Sequence, residues 1–307
     1  MRDLDEVLRR WAALQAPGNA IIDGALSAAA SGATFANISP RDGKRINDVA
    51  ACDGQDVDRA VAAARQAFED GRWRALAPKD KKKILFRLAD LMEADSDNLA
   101  LLEALDVGKP IAEARNVDVP LSIQTVRYYA EALDKVYGEV GPAPEGRFSY
   151  ATYEPLGVIG AIVPWNFPLH MAMWKVAPAL AMGNSVVLKP AEQSPLTALR
   201  MGELALQAGV PAGVLNVVPG LGETAGQAIG RHMDIDLVAF TGSGAVGRRL
   251  MVYAGESNLK RVSLELGGKS PQIVFADCPD FDAAAEAAAW GVFYNQGEVC
   301  TAASRLL

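Results

Sequence analysis

Two regimes of apolar patterning divide the chain, with the boundary near residue 137. Ahead of it the spacing is helical. In DVDRAVAAARQAFED (56–70) Val57, Val61, Ala64 and Phe68 fall on one face, with Asp56 as the expected N-cap. The same spacing predicts a helix from Pro78 to Ala94, on Ile84, Leu85, Leu88, Leu91 and Met92, and another from Asp95 to Leu105, stopped by Gly108-Lys109-Pro110. MRDLDEVLRRW at the start reads as a short amphipathic helix, so the first hundred residues are expected to be mainly helical. The Gly/Pro-rich stretch YGEVGPAP (137–144) leads into RFSYATYEP, whose aromatic and β-favouring residues predict a short extended segment or hairpin arm.

Beyond the boundary the apolar runs become continuous. GVIGAIV (157–163), NSVVLKP (184–190), VLNVVP (214–219) and DLVAF (236–240) read as strands, with helical patterns from Leu169 to Met182 and from Ser194 to Gln207 between them. Continuous aliphatic strands suit a parallel sheet covered on both faces, and helix-bearing connections suit right-handed crossovers. The expected fold class is therefore α/β, a doubly wound, mostly parallel sheet. VSLEL (262–266) and QIVFA (272–276) add strands, and FDAAAEAAAWGVFYNQGEVC reads as a helix running into a loop. No internal repeat or low-complexity tract interrupts this order. Leu156 to Gly183 approaches membrane length, but Pro164, Asn166, Pro168, His170 and Lys175 would be costly in a bilayer, so it reads as strand, loop and helix.

Composition narrows the function classes. A length of 307 residues suits about two domains, and 50% hydrophobic against 22% charged residues supports a sizeable core rather than disorder. A net charge of −7 disfavours nucleic acid or anionic lipid as partners. Cys52, Cys278 and Cys300 show no CxxC spacing, which indicates neither a disulfide framework nor a zinc site. His170 and His232, the two histidines, read as surface or loop residues and leave little material for a metal centre or a Ser-His-Asp triad. The N-terminus lacks a secretory apolar run, and a reducing cytoplasm is the expected compartment.

Candidate chemistry sits at strand ends and in loops. Gly242-Ser243-Gly244-Ala245-Val246-Gly247 follows DLVAF and opens a helix, where free amides and the helix dipole favour an anion; the glycines equally suit a strand-to-helix turn. A second set, Gly220, Gly222 and Gly226, enters a helix with spacing one residue longer than the dinucleotide fingerprint. NSVVLKPAE delivers Lys189 and Glu192 to the same edge, where Glu192 either chelates ribose hydroxyls and repels a 2′-phosphate, favouring NAD over NADP, or forms a loop ion pair. Cys300 lies in a loop and is either a thiolate nucleophile or a small buried hydrophobe, the reading that Cys52 and Cys278 keep. Strand alternation separates Glu265 from Val262, Leu264 and Leu266, as a general base or as a solvated strand residue. Asn166, between Pro164 and Pro168, is an oxyanion donor or a turn residue.

The joint order of PWNFP, LKPAE, FTGSGAVG, LELGGKSP and FYNQGEVC resembles the aldehyde dehydrogenase superfamily over almost the whole chain. DVGKPIAEA, YYAEALDKVYGEV, FADCPD and FYNQGEVCTAASRLL are most similar to its bacterial γ-glutamyl-γ-aminobutyraldehyde dehydrogenases of putrescine breakdown. The resemblance implies Cys300 as nucleophile, Glu265 as general base, Asn166 as oxyanion donor beside the Cys300 amide, and Lys175 in proton relay. It implies Val163, Pro164, Trp165, Lys189, Glu192, Gly222, Gly226, Gly242, Ser243, Gly247 and Leu266 as cofactor contacts, with Phe167, Trp174 and Val299 lining a substrate tunnel. It also corrects the fingerprint reading, because the acid downstream of the glycines is catalytic rather than ribose-binding.

The implied reaction is NAD-dependent oxidation of a small-molecule aldehyde to a carboxylic acid through a thioester on Cys300, without metal. The implied organisation is a cofactor domain at 1–135 and 156–267, an oligomerisation arm at 136–155 and an incomplete catalytic domain at 268–307. Family members continue well past their nucleophile and form homo-oligomers. This chain, ending at Leu307, is expected either to expose apolar surface and be weakly active or inactive, or to be part of a longer enzyme. Two other readings stand beside this one: a catalytically silent dinucleotide-binding protein, and a cofactor-independent cysteine esterase using Cys300 and Glu265.

Overall fold

A continuous aliphatic strand hides a period of two, and the core shows it. Ile159, Ala161 and Val163 face one apolar cluster with Trp73, Leu85 and Leu180, whereas Val158 and Ile162 face a second with Val57, Val61 and Ile229. The computed structural model describes residues 15–307; the amphipathic helix expected over residues 1–11 lies outside them.

β1 (Ala20–Ile22) and β2 (Ala25–Ser27) form one hairpin, β3 (Thr34–Ile38) and β4 (Arg45–Ala50) another. These strands correct the expectation of a mainly helical first hundred residues. Three-residue strands are too short to display a period, and β1 is recruited by a sheet edge, with Ile21 opposite Val217. α1 (Gly54–Glu69) begins before the expected start: Asp53 rather than Asp56 is the N-cap, and Asp56 accepts the Asp53 N–H at 3.2 Å to close a capping box. α2 (Pro78–Ala94) and α3 (Ser96–Val107) follow the predicted pattern. α3 stops at Gly108, whose φ of +77° suits glycine. A helical turn (Ile111–Glu113) and a π-helical turn (Ala114–Asp118) feed α4 (Val119–Ala132), a stretch to which the apolar pattern assigns no element.

β5 (Glu139–Gly141) and β6 (Ser149–Ala151) make the expected hairpin, antiparallel and largely exposed. β7 (Val158–Ile162), α5 (Pro168–Ala181), β8 (Ser185–Lys189), α6 (Leu196–Ala208) and β9 (Leu215–Val217) then alternate. A π-helical turn (Gly222–Gly226) and α7 (Gln227–Arg231) lead to β10 (Leu237–Gly242), α8 (Gly244–Gly255) and β11 (Arg261–Leu266). Among the described residues the main sheet runs β11-β10-β7-β8-β9-β1-β2, parallel from β11 to β9. The fold is thus α/β with a parallel-dominated sheet.

β12 (Pro271–Gln272) is shorter than the strand expected over 272–276. Val274 still reaches the Leu307 carbonyl at 2.8 Å, but a turn closed by Cys278 N–H on the Phe275 carbonyl then takes the chain away. α9 (Phe281–Phe293), a 3-10 turn (Tyr294–Gly297) and β13 (Arg305–Leu306), which pairs β12, complete the described chain. Among the described residues no helix is long and apolar enough to cross a membrane.

Candidate active site

The sheet order fixes where a ligand can enter. Connections from β7 run outward through β8 to β9, while β10 and β11 lie on the other side of β7, so the β7/β10 boundary is a topological switch point. Ligands of open α/β sheets bind in the crevice beyond the strand C-termini at such a point. A cleft of about 750 Å³ opens there, walled by Pro164–Phe167 after β7, Thr241–Ser243 at the end of β10, Glu265–Lys269 at and beyond the end of β11, and Gly297–Thr301.

Cys300, Glu265 and Asn166 all line this cleft. Cys300 is exposed, and its carbonyl accepts the Gly268 N–H at 3.1 Å, which ties the thiol loop to the segment leaving Glu265. Glu265 stands opposite Thr241 in the parallel ladder. The Asn166 side-chain nitrogen donates to the Glu298 carbonyl at 2.6 Å. An amide NH₂ has two hydrogens, so one remains for a ligand oxygen. Lys175 is buried beside the cleft and donates to Thr241 Oγ1 at 2.6 Å. Burial pushes its ammonium down to about 8, with the Glu265 charge opposing the shift.

The residues expected to hold a cofactor fall into two groups. Pro164, Trp165, Gly242, Ser243 and Leu266 line the cleft. Ser243 caps α8, its hydroxyl accepting the Val246 N–H at 3.3 Å. A Cβ on Gly247 would lie 3.1 Å from Leu266 Cδ2, so this glycine permits close packing of α8 on β11. The second group gathers where β8 and β9 end. Lys189, nearly sealed from water, donates to Glu192 at 3.2 Å and to the Pro190 carbonyl at 3.0 Å; burial pushes its ammonium down, while Glu192 and Glu223 oppose. A Cβ on Gly226 would sit 3.6 Å from the Lys189 stem, and Gly222 faces open space. Val163 is buried in the core, and its N–H donates to the Lys189 carbonyl at 3.2 Å, linking the two groups across adjacent strands. From β10 to β8, beyond whose end Glu192 lies, is two strand spacings, about 10 Å at ~4.8 Å each. An open helix N-terminus at one end and a carboxylate at the other fit an extended dinucleotide.

Phe167, Trp174 and Val299 also line the cleft. His170 departs from its surface or loop reading: it lies on α5 and meets Trp174 edge-on at 5.2 Å. Burial, reinforced by Lys109, lowers its basicity. Of the two cysteines read as small hydrophobes, Cys52 is buried and its thiol is pushed up to about 12, but Cys278 is partly exposed because its turn lies at the surface. Four neighbours of the site escape the sequence reading. Lys109 reads as part of a helix stop, Asp118 lies in an unassigned stretch, Thr241 just beyond the strand read over 236–240, and Asn295 in a loop. The NQG triplet at 295–297 carried a turn signal, and all three residues have positive φ, +47°, +61° and +80°.

A parallel α/β sheet whose switch point gathers a thiol, a carboxylate and an amide in one cleft defines the class of protein. Residues 27–307 match the aldehyde dehydrogenase family, and the chain belongs to it. It is 52% identical over 296 residues to the aminoacetaldehyde dehydrogenase of Pseudomonas aeruginosa, covering 96% of this chain and 60% of that protein. It is 54% identical over 286 residues to the NADP/NAD-dependent aldehyde dehydrogenase PuuC of Escherichia coli, covering 93% and 58%. The solved γ-glutamyl-γ-aminobutyraldehyde dehydrogenase of Burkholderia cenocepacia superposes with a TM-score of 0.97 at 55% identity, covering 99% of this chain and 61% of that one. The chain thus spans about three-fifths of the length of these relatives.

Proposed function

We propose that the protein oxidises an aldehyde to a carboxylic acid with NAD, through a covalent adduct on Cys300, and that its substrate is an aminoaldehyde of the γ-glutamyl-γ-aminobutyraldehyde kind. The observation that carries this reading is the presence of Cys300, Glu265 and Asn166 in one cleft at the switch point. The names of the relatives, an aminoacetaldehyde dehydrogenase and a γ-glutamyl-γ-aminobutyraldehyde dehydrogenase, support the substrate class.

Ser243 and the amides at the start of α8 would hold the pyrophosphate, and Lys189 with Glu192 the adenosine ribose. When bound, NAD supplies a hydride acceptor. The Cys300 sulfur adds to the carbonyl carbon, and the free N–H of Asn166, with the Cys300 amide, stabilises the oxyanion. As the oxyanion re-forms its carbonyl, the carbon–hydrogen bond breaks with its electron pair and leaves a thioester on Cys300. Glu265 then takes a proton from water; the hydroxide oxygen adds to the thioester carbon, the carbon–sulfur bond breaks, and Cys300 returns as thiolate. Lys175 is a proton-relay group through Thr241. Phe167, Trp174 and Val299 form the aldehyde wall. We assign residues 1–135 and 156–267 to cofactor binding, 136–155 to homo-oligomer assembly and 268–307 to the catalytic domain. A reducing cytoplasm suits the exposed thiol of Cys300.

NADH absorbance with purified protein, NAD and the aminoaldehyde tests the reading. Cys300→Ala is expected to abolish NADH formation. Glu265→Gln is expected to slow thioester hydrolysis by about 10²- to 10⁴-fold, so that the acyl-enzyme accumulates in intact mass spectra. Turnover that survives Cys300→Ala would overturn the mechanism.

A further inference from the structure

Behind the cleft wall, Lys109 is fully enclosed, with a side chain 0% exposed. Its ammonium has three hydrogens and meets three partners. It pairs with Asp118 at 2.5 Å, donates to the Asn166 carbonyl at 3.0 Å, and lies 4.4 Å from the centre of the Phe167 ring. Burying an ion pair costs desolvation that an apolar pair would avoid, so such a pair adds little net stability and more readily fixes an arrangement. The arrangement here is that of the candidate oxyanion donor. Asn295, buried and left-handed at φ +47°, grips the same Asn166 carbonyl at 3.2 Å and the Glu298 carbonyl at 3.4 Å, while Asn166 itself donates to Glu298. Gln296 fastens the loop to the Gly108 carbonyl at 3.3 Å. Asp118 ends a π-helical turn, a local departure from α-helix often found at functional sites.

We propose that Lys109, braced by Asp118 and seconded by Asn295, is a positioning residue: it clamps the Asn166 backbone carbonyl and so fixes the backbone from which the side-chain amide, held in turn by the Glu298 carbonyl, reaches the oxyanion. The proposal rests on the oxidation chemistry above, and it assigns Lys109 no contact with aldehyde or cofactor. The clamp also joins the loop after β7 to the thiol loop, since Asn166 and Asn295 share the Glu298 carbonyl two residues before Cys300.

The test uses the isotope-labelled chain, in which the Asn166 side-chain NH₂ signals are identified by their loss in Asn166→Ala. Lys109→Met would strand a buried carboxylate, so the informative variant is Lys109→Met with Asp118→Leu, which removes the pair together. Its melting temperature is expected to stay near that of the parent while the Asn166 NH₂ signals shift or broaden. Asn295→Ala is expected to move them in the same direction by less. In turnover, the double variant is expected to lose about 10²-fold in kcat with KM for the aldehyde changed less than about threefold. Unmoved Asn166 signals in a folded double variant would overturn the clamp, whatever the turnover. Moved signals in a protein whose parent oxidises no aldehyde would keep the clamp and sink the proposed reaction.

Discussion

Glu192 is the carboxylate paired with the buried Lys189 at the end of β8, and the loop position leaves it free to exchange that partner for a ribose. Hydrogen bonds to a charged group are worth about 1.5–3 kcal/mol. Glu192→Ala should therefore weaken NAD binding by about tenfold or more in an NADH fluorescence titration, while the rate of Cys300 alkylation stays as in the parent. Unchanged affinity would remove the ribose assignment. At this scale the sequence was most informative where a side chain stands at an element's end: Cys300, Glu265, Asn166, Lys189 and Glu192 each occupy a strand terminus or loop. It was silent where a side chain acts on distant backbone. Lys109 and Asn295 bind a carbonyl 57 and 129 residues away, and no local pattern encodes such a partner. The sequence also could not separate Gly247, which packs a helix on a strand, from Ser243, which lies in the cleft.

Elements in the helical layer are bound by buried acids. Glu103 on α3 accepts from Thr197 at 2.8 Å in α6 and from the Leu169 N–H at 3.4 Å in the first turn of α5, and Asp106 accepts the Leu196 N–H at 2.7 Å at the start of α6. Two helix N-termini are thus served by carboxylates from a third helix. Burial pushes Glu103 up to about 7 from 4.5, with Lys109 opposing, and burial raises Asp106 well above the usual carboxylate range. Between these two values the folded state holds a proton that the unfolded state has lost. The stabilisation that Glu103 contributes is therefore complete below about pH 4.5 and is lost as pH rises through about 7. Glu103→Gln removes this titration, keeping an oxygen for the Leu169 N–H while its NH₂ donates to the Thr197 hydroxyl, which turns to accept. Unfolding free energies of the variant relative to the parent, from urea titrations, should rise from pH 4.5 to 8 by on the order of 1–3 kcal/mol, the Asp106 contribution being common to both and cancelling. A constant difference would show that Glu103 is ionised normally. Periodicity located α3, α5 and α6 well, because each is long and rich in apolar residues. It missed β1 to β4, whose pairing comes from the sheet edge and from each other, and α4, which follows a π-helical turn.

For the whole molecule, the division into a well-covered sheet and an uncovered extension governs behaviour in solution. Near-continuous strands made the parallel sheet legible, but the strand order, with β10 and β11 on the far side of β7, comes from packing and cannot be read from chain order. The apolar character of α9 suggests a core helix, yet none of its residues is buried. Phe293 is 73% exposed and Phe275 71%, with Ile273, Phe281, Trp290, Leu306 and Leu307 also exposed on the same extension, whereas Trp73 in the sheet core is 1% exposed. Contiguous apolar surface of this kind promotes association of a soluble protein. The 307-residue chain should bind the dye ANS while fully folded and should sediment with a concentration-dependent mass. Phe275→Glu with Phe293→Glu should reduce both the dye signal and the self-association. Because neither ring packs into the core, the melting temperature should change little, surface substitutions usually falling within about 0.5 kcal/mol. If dye binding and sedimentation are unaltered in that variant, the adhesive surface lies elsewhere, and the exposed hairpin β5–β6, with Val140 and Tyr150, becomes the face to charge next.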